Sequence, residues 1–223
     1  MDISAHICYI AGAMSLTPDL CPRPVPGDFV VAADRGFDSL LAYGVMPDLA
    51  VGDFDSLGHR PNHPNVIQLP VEKDDTDMVF ALRKGIERGY RRFVLLGGVG
   101  GRLEHTLGNL QLLDWLALHG ARGFLAGEKT VATCIRDGGS ITFPDTMSGY
   151  LSVFCSSGTA VGVDLTGLKY PLQKYTLTGD FPLGVSNQFL GKPATVSVEK
   201  GSLLLVWEDQ GDFYSTLPGL WAQ

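Results

Sequence analysis

Up to about residue 136, short apolar runs rich in β-branched residues alternate with segments whose apolar positions recur every three or four residues. This is the pattern of an α/β domain with a mostly parallel sheet. The runs predict strands at about residues 6–11, 29–33, 49–51, 66–69 and 93–96. Between them, Phe37, Leu40 and Leu41 share one helix face ahead of Gly44, a residue suited to ending it. Met78, Leu82 and Ile86 stand four apart, with Asp75 or Thr76 as N-cap and Gly89 at the far end. A third helix is expected from about Leu103 to His119, its apolar stripe carried by Leu107, Leu110, Leu113 and Leu116.

From about Asp137 the pattern changes to short β-prone segments at 140–143, 150–155, 194–199 and 202–207, divided by turns containing Gly, Pro and Ser, and helix signals vanish. The expected fold is therefore α/β over residues 1–136, with a mostly parallel sheet, followed by an antiparallel β-sandwich over 137–223. The stretch from Thr17 to Pro26 holds four prolines and reads as a loop.

Composition narrows the function classes. With 223 residues, 45% hydrophobic and 18% charged, the chain is ordinary globular protein. Its net charge of −7 argues against nucleic acid as a partner, which would call for a basic face. The four cysteines are widely spaced without a CxxC pair, so neither a zinc site nor a disulfide framework is suggested, and a reducing cytoplasm fits best. The N-terminus lacks the cationic and apolar regions of a signal peptide, and no apolar run is long enough to span a bilayer, so no membrane partner is expected.

Four polar clusters each follow a predicted strand: Asp34-Arg35-Gly36, the segment from Gly52 to Ser56, the segment from Lys73 to Asp77, and Gly97-Gly98 leading to Gly101-Arg102. In a parallel sheet all strand C-termini share one edge, so these clusters should converge on one crevice. Asp53 and Asp55 are two apart; in an extended segment both carboxylates point to the same side and can share a hard cation such as Mg²⁺. Gly-Asp-x-Asp-Ser also reads as a tight turn with Asx capping. The neighbouring clusters favour the metal. Three acids crowd the helix start after Lys73, more than capping explains, and Asp77, one turn in, is the one expected on the metal. The glycines from Gly97 to Gly101, Gly98 among them, let backbone N–H groups approach phosphates, and Arg102 can add charge-assisted bonds. His105, one turn further, can face the same crevice or simply pack. Residue chemistry alone thus gives a Mg²⁺-nucleotide enzyme without a named substrate.

Taken in order, Ala33-Asp34-Arg35-Gly36, the run from Pro47 to Ser56, Lys73-Asp74-Asp75-Thr76-Asp77 and the run from Gly100 to Thr106 resemble the motifs of thiamine pyrophosphokinases. The likeness continues through the run from Thr166 to Leu172 and Val185-Ser186-Asn187-Gln188-Phe189, so it covers nearly the whole chain. It implies a transferase that moves a diphosphoryl group from ATP to thiamine and releases AMP. It further implies that Asp53, Asp55 and Asp77 coordinate Mg²⁺ with Asp34 and Asp75 nearby, that Arg102 and Lys73 hold ATP phosphates, and that Tyr170, Ser186 and Asn187 line the thiamine pocket. With Gly98 and His105 from the residue reading, Asp34, Lys73, Asp75 and Arg102 make up the expected ATP site. Residues 1–136 would bind ATP and 137–223 thiamine, in a homodimer with active sites between subunits. Three positions depart from the family pattern: Arg35 replaces the first glycine of Asp-Gly-Gly, Glu104 stands for Asp, and Asp75 stands where Gln is frequent. Two rivals account for less. A nucleotide-sugar glycosyltransferase also uses Asp-x-Asp but leaves the Lys73–Asp77 and Ser186–Phe189 motifs unexplained, and a non-catalytic sensor would be free to lose the metal ligands that are intact here.

Overall fold

The computed structural model describes residues 3–211 and 213–221, which form two compact units, one within Met1–Leu112 and Gly123–Glu128 and the other within Leu113–Arg122 and Lys129–Gln223. In the first, β1 (Ile7–Ala11), β2 (Phe29–Ala33), β3 (Leu49–Gly52), β4 (Val66–Gln68) and β5 (Arg92–Leu96) pair in parallel in the order β5-β1-β2-β3-β4, with β6 (Arg122–Gly127) beside β5. β2 and β3 are buried at every position and β1 and β5 at all but the first, as unbroken apolar runs in a sheet covered on both faces require. The chain steps outward from β1 to β4, then returns to the other side of β1 as β5. Strand order therefore reverses between β1 and β5, and that is where open α/β sheets leave a crevice at their strand C-termini.

Helices α1 (Gly36–Leu41), α2 (Asp77–Glu87) and α3 (Leu103–Leu118) fall where periodicity placed them. Thr76 is the N-cap of α2, its Oγ1 accepting from Val79 N at 3.3 Å, and Gly89 follows the helix at a φ of 93°. Met78 and Leu82 are buried. Along α3, Leu113 and Leu116 are buried but Leu107 is 53% exposed, so only part of the predicted stripe is core.

The second unit is antiparallel. One of its sheets runs β12-β9-β14-β7 (Gly184–Gln188, Tyr150–Cys155, Ser202–Glu208, Thr130–Arg136) and the other β11-β10-β13-β8 (Leu172–Thr178, Thr159–Thr166, Ala194–Ser197, Ser140–Phe143). Phe143 of β8 packs edge-on against Trp207 of β14 with ring centroids 5.2 Å apart, closing a core between the two sheets as in a sandwich. The expectation that helices are absent after Asp137 is corrected by α4 (Phe213–Trp221). Its sequence contains Pro218 and Gly219, which suppress a helix reading; burial of Phe213, Leu217 and Leu220, and an Arg122 bond to the Leu220 carbonyl at 3.0 Å, hold it in place.

Candidate active site

The loops leaving β1, β2, β3 and β5, with the start of α2, line one cavity of about 650 Å³ in the first unit, a volume ordinary for a small-molecule site. Asp34 follows β2 directly with a φ of 50°, a left-handed conformation that is costly for a residue with a Cβ and that recurs at functional sites. Its N–H donates to Val51 O at 2.8 Å, locking the turn onto β3, and Ser56 Oγ donates to its Oδ2. Its other carboxylate oxygen, Oδ1, is buried without a partner.

Beyond β3, Phe54 is also left-handed, at a φ of 60°, and buries its ring. The segment is therefore not extended, and simple alternation is not what aligns its acids. The Phe54 turn lets Asp55 N donate to Asp53 Oδ1 at 3.3 Å, an Asx contact, while carboxylate oxygens of Asp34, Asp53 and Asp55 come within 4.8 Å of one another. The turn reading and the carboxylate-cluster reading of this motif hold together.

Lys73 sits between two acids, its Nζ 2.8 Å from Asp53 Oδ2 and 2.9 Å from Asp77 Oδ1. Its hydrogen bond is the main reason the Asp53 carboxyl is held below the usual range; burial opposes it, and the Asp55 N–H assists. Burial pushes the Asp77 carboxyl up, against the pull of Lys73. For Lys73, burial disfavours the charge, yet its contacts with Asp53 and Asp77 leave its pKa raised. Asp75 turns to Arg83, with which it forms an exposed ion pair.

At the switch point, Gly97 has a φ of 61° and sits so close to the 12–14 loop that a Cβ there would lie 2.6 Å from Met14 O. Gly12 N donates to Leu96 O at 2.7 Å, Met14 N to Gly97 O at 3.0 Å, and Asn109 Nδ2 to Gly98 O at 2.8 Å. Arg102 pairs with Glu104 at 2.6 Å; both are exposed, and such a surface pair yields to an incoming phosphate at little cost. Arg102 and His105 line the cavity. Sequence reasoning did not single out Gly12, Ala13 and Met14, which line it too. Their only signal is that they follow a strand of the parallel sheet.

The expected thiamine residues lie in the second unit, outside the lining of this cavity. Asn187 is 3% exposed, and both ends of its amide are engaged: Oδ1 accepts from Tyr170 N and Gln188 N, each at 2.9 Å, and Nδ2 donates to Tyr170 O at 2.7 Å. It clamps the Tyr170 backbone, while the Tyr170 ring is exposed with Lys169 Nζ 5.5 Å from its centroid. Ser186 is exposed at a φ of 59° in β12, its N–H donating to Ser152 Oγ.

With this geometry in hand, likeness to known proteins is decisive. Residues 26–122 match the thiamin pyrophosphokinase catalytic domain and residues 140–203 the thiamin pyrophosphokinase vitamin B1 binding domain. The solved thiamin pyrophosphokinase of Geobacillus thermodenitrificans is 32% identical, with 92% of this chain and 98% of that one covered and a TM-score of 0.78. The chain belongs to the thiamine pyrophosphokinase family. The family's Bacillus subtilis (strain 168) enzyme is 29% identical over 201 residues, covering 87% of this chain and 94% of its own. A crystal structure of the thiamine pyrophosphokinase from Bacillus subtilis superposes with a TM-score of 0.80 over 91% of this chain and 99% of that one, at 28% identity. Family membership makes the chain an enzyme, a thiamine diphosphokinase, and places it in thiamine diphosphate formation.

Proposed function

We propose that the enzyme transfers the β,γ-diphosphoryl group of ATP to the hydroxyl of thiamine in a Mg²⁺-dependent reaction. The thiamine oxygen bonds to the β-phosphorus as the bond from that phosphorus to the α,β-bridging oxygen breaks, AMP leaves with the bridging oxygen, and the hydroxyl proton is released to solvent. The observation that carries this reading is the Asp34, Asp53 and Asp55 carboxylate group, set beside the glycine-rich 97–101 turn at the switch point of a parallel sheet.

The residues present fit a hard divalent cation. The donors are oxygens only, and Asp34 Oδ1 is a buried acceptor with no partner. Asp53 and Asp55 would hold the ion with Asp34 beside them, and Asp77, which shares Lys73 with Asp53, is the further ligand the family resemblance implies. When bound, Mg²⁺ neutralises charge on the polyphosphate. Lys73 and Arg102 supply positive charge to the same groups, and the N–H groups of the 97–101 turn can receive phosphate oxygens.

On this reading residues 1–136 hold ATP and 137–223 hold thiamine, with Tyr170 offering an aromatic face to the flat cation and Asn187 fixing the Tyr170 backbone. A homodimer and a cytoplasmic location belong to the same proposal. Among the described residues, no helix is long and apolar enough to cross a membrane. Stripping divalent cations with EDTA is expected to lower thiamine diphosphate formation by about tenfold or more, with recovery on adding excess Mg²⁺. Full activity in EDTA would refute the carboxylate–metal assignment.

A further inference from the structure

Six aspartates and three cations, Arg35, Lys73 and Arg102, line the cavity. Two of the cations are already engaged, Lys73 with Asp53 and Asp77, and Arg102 with Glu104. Among the described residues, the Arg35 guanidinium has neither an ion pair nor a hydrogen bond, although it stands beside Asp34 and within a cavity rich in carboxylates. Arg35 is exposed. Asp34 is left-handed, which commits its carboxylate to Ser56 and the Asp53–Asp55 group, whereas Arg35 follows in an ordinary right-handed conformation at a φ of −58° and ψ of −13°. Gly36 then lies so close to the end of β1 that a Cβ there would be 2.0 Å from Ala11 O. The close approach at Gly36 ties this turn to the end of β1, and the exposed Arg35 lines the cavity with the Gly12–Met14 loop, its charge uncommitted.

We infer that Arg35 is a nucleotide-affinity residue that pairs with the polyphosphate of ATP entering this cavity. The inference rests on the cavity being the ATP site. A guanidinium can meet two phosphate oxygens at once, and its planar fork suits it to that task better than an ammonium. Because Arg35 already has right-handed backbone angles, alanine can replace it without strain and removes only the side chain.

The test compares wild type with R35A and R35K by calorimetric binding of a non-hydrolysable ATP analogue in Mg²⁺ and by steady-state kinetics. Binding is measured whether or not the protein turns over thiamine, so failure of the reaction assignment is seen separately in the wild-type kinetics. R35A is expected to weaken analogue binding, and to raise KM for ATP, by about tenfold, the size of one lost charge-assisted contact. R35K should recover part of the loss, the R35A deficit should shrink with added salt, and KM for thiamine and the melting temperature should be unchanged. Analogue binding unchanged in R35A would overturn the inference. So would a loss accompanied by a lower melting temperature and an equal rise in KM for thiamine, since that pattern belongs to a space-filling role.

Discussion

Asp53→Asn is expected to cut turnover by about 10² to 10³-fold, with the protein still folded. Asp53 belongs to the three-carboxylate group and also anchors Lys73, so the substitution removes charge from the metal site and leaves Lys73 with only one acid. Losing several kcal/mol of charge stabilisation from a phosphoryl-transfer site gives a loss of this order. The effect on folding should be the smaller one, because the carboxamide keeps an oxygen for the Asp55 N–H and Lys73 retains Asp77. Turnover by single-substrate saturation, with circular dichroism as the control for folding, checks both halves. A D53N variant retaining more than about a tenth of wild-type turnover would remove Asp53 from the metal site.

Gly36→Ala should act in the opposite way, through the fold. Gly36 needs no unusual φ, so the cost comes only from contact: the added methyl would meet Ala11 O, and Gly12 O lies 3.1 Å away. Ala11 is held between Ala32 and Leu96 in the sheet and cannot retreat without breaking its ladders. Over-packing against a fixed backbone costs about 3 kcal/mol, which in a chain of this size lowers the melting temperature by roughly 6–12 °C. Displacing the 34–36 turn should also raise KM for ATP, because Asp34 and Arg35 move with it. Thermal melts and kinetics on one preparation test this together; a melting temperature within about 2 °C of wild type would show that the turn is free to shift.

β1, β2, β3 and β5 of the first unit were legible because each is buried on both faces and reads as an apolar run from which helix-period segments stand apart, and β4, only half-buried at the sheet edge, was legible from its short apolar run alone. β10, β11 and β12 were not read. Register shifts interrupt all three, and Gly162, Lys174 and Ser186 within them have positive φ values, so period-two alternation fails where the strands bulge. β6, bounded by glycines near each end, and β7 were missed between clearer signals.

At the site, the clusters after β2, β3 and β5 and the start of α2 do meet in one cavity, as strand-end position predicted. Position along the chain could not show how Asp53 and Asp55 converge, since that depends on the left-handed Phe54 turn, nor that Lys73 would be taken up by two carboxylates. The Gly12–Met14 loop carries no chemically distinctive side chain. The polar character of Asn187 was visible in the sequence, but not that its amide is spent on the Tyr170 backbone.

The most direct test of the central claim is to supply thiamine, Mg²⁺ and ATP carrying radiolabel on either the α- or the γ-phosphorus, and to separate the products by chromatography. Diphosphoryl transfer predicts that the γ-label appears in thiamine diphosphate and the α-label in AMP, in equal amounts. Thiamine monophosphate carrying the γ-label, with the α-label in ADP, would contradict attack at the β-phosphorus.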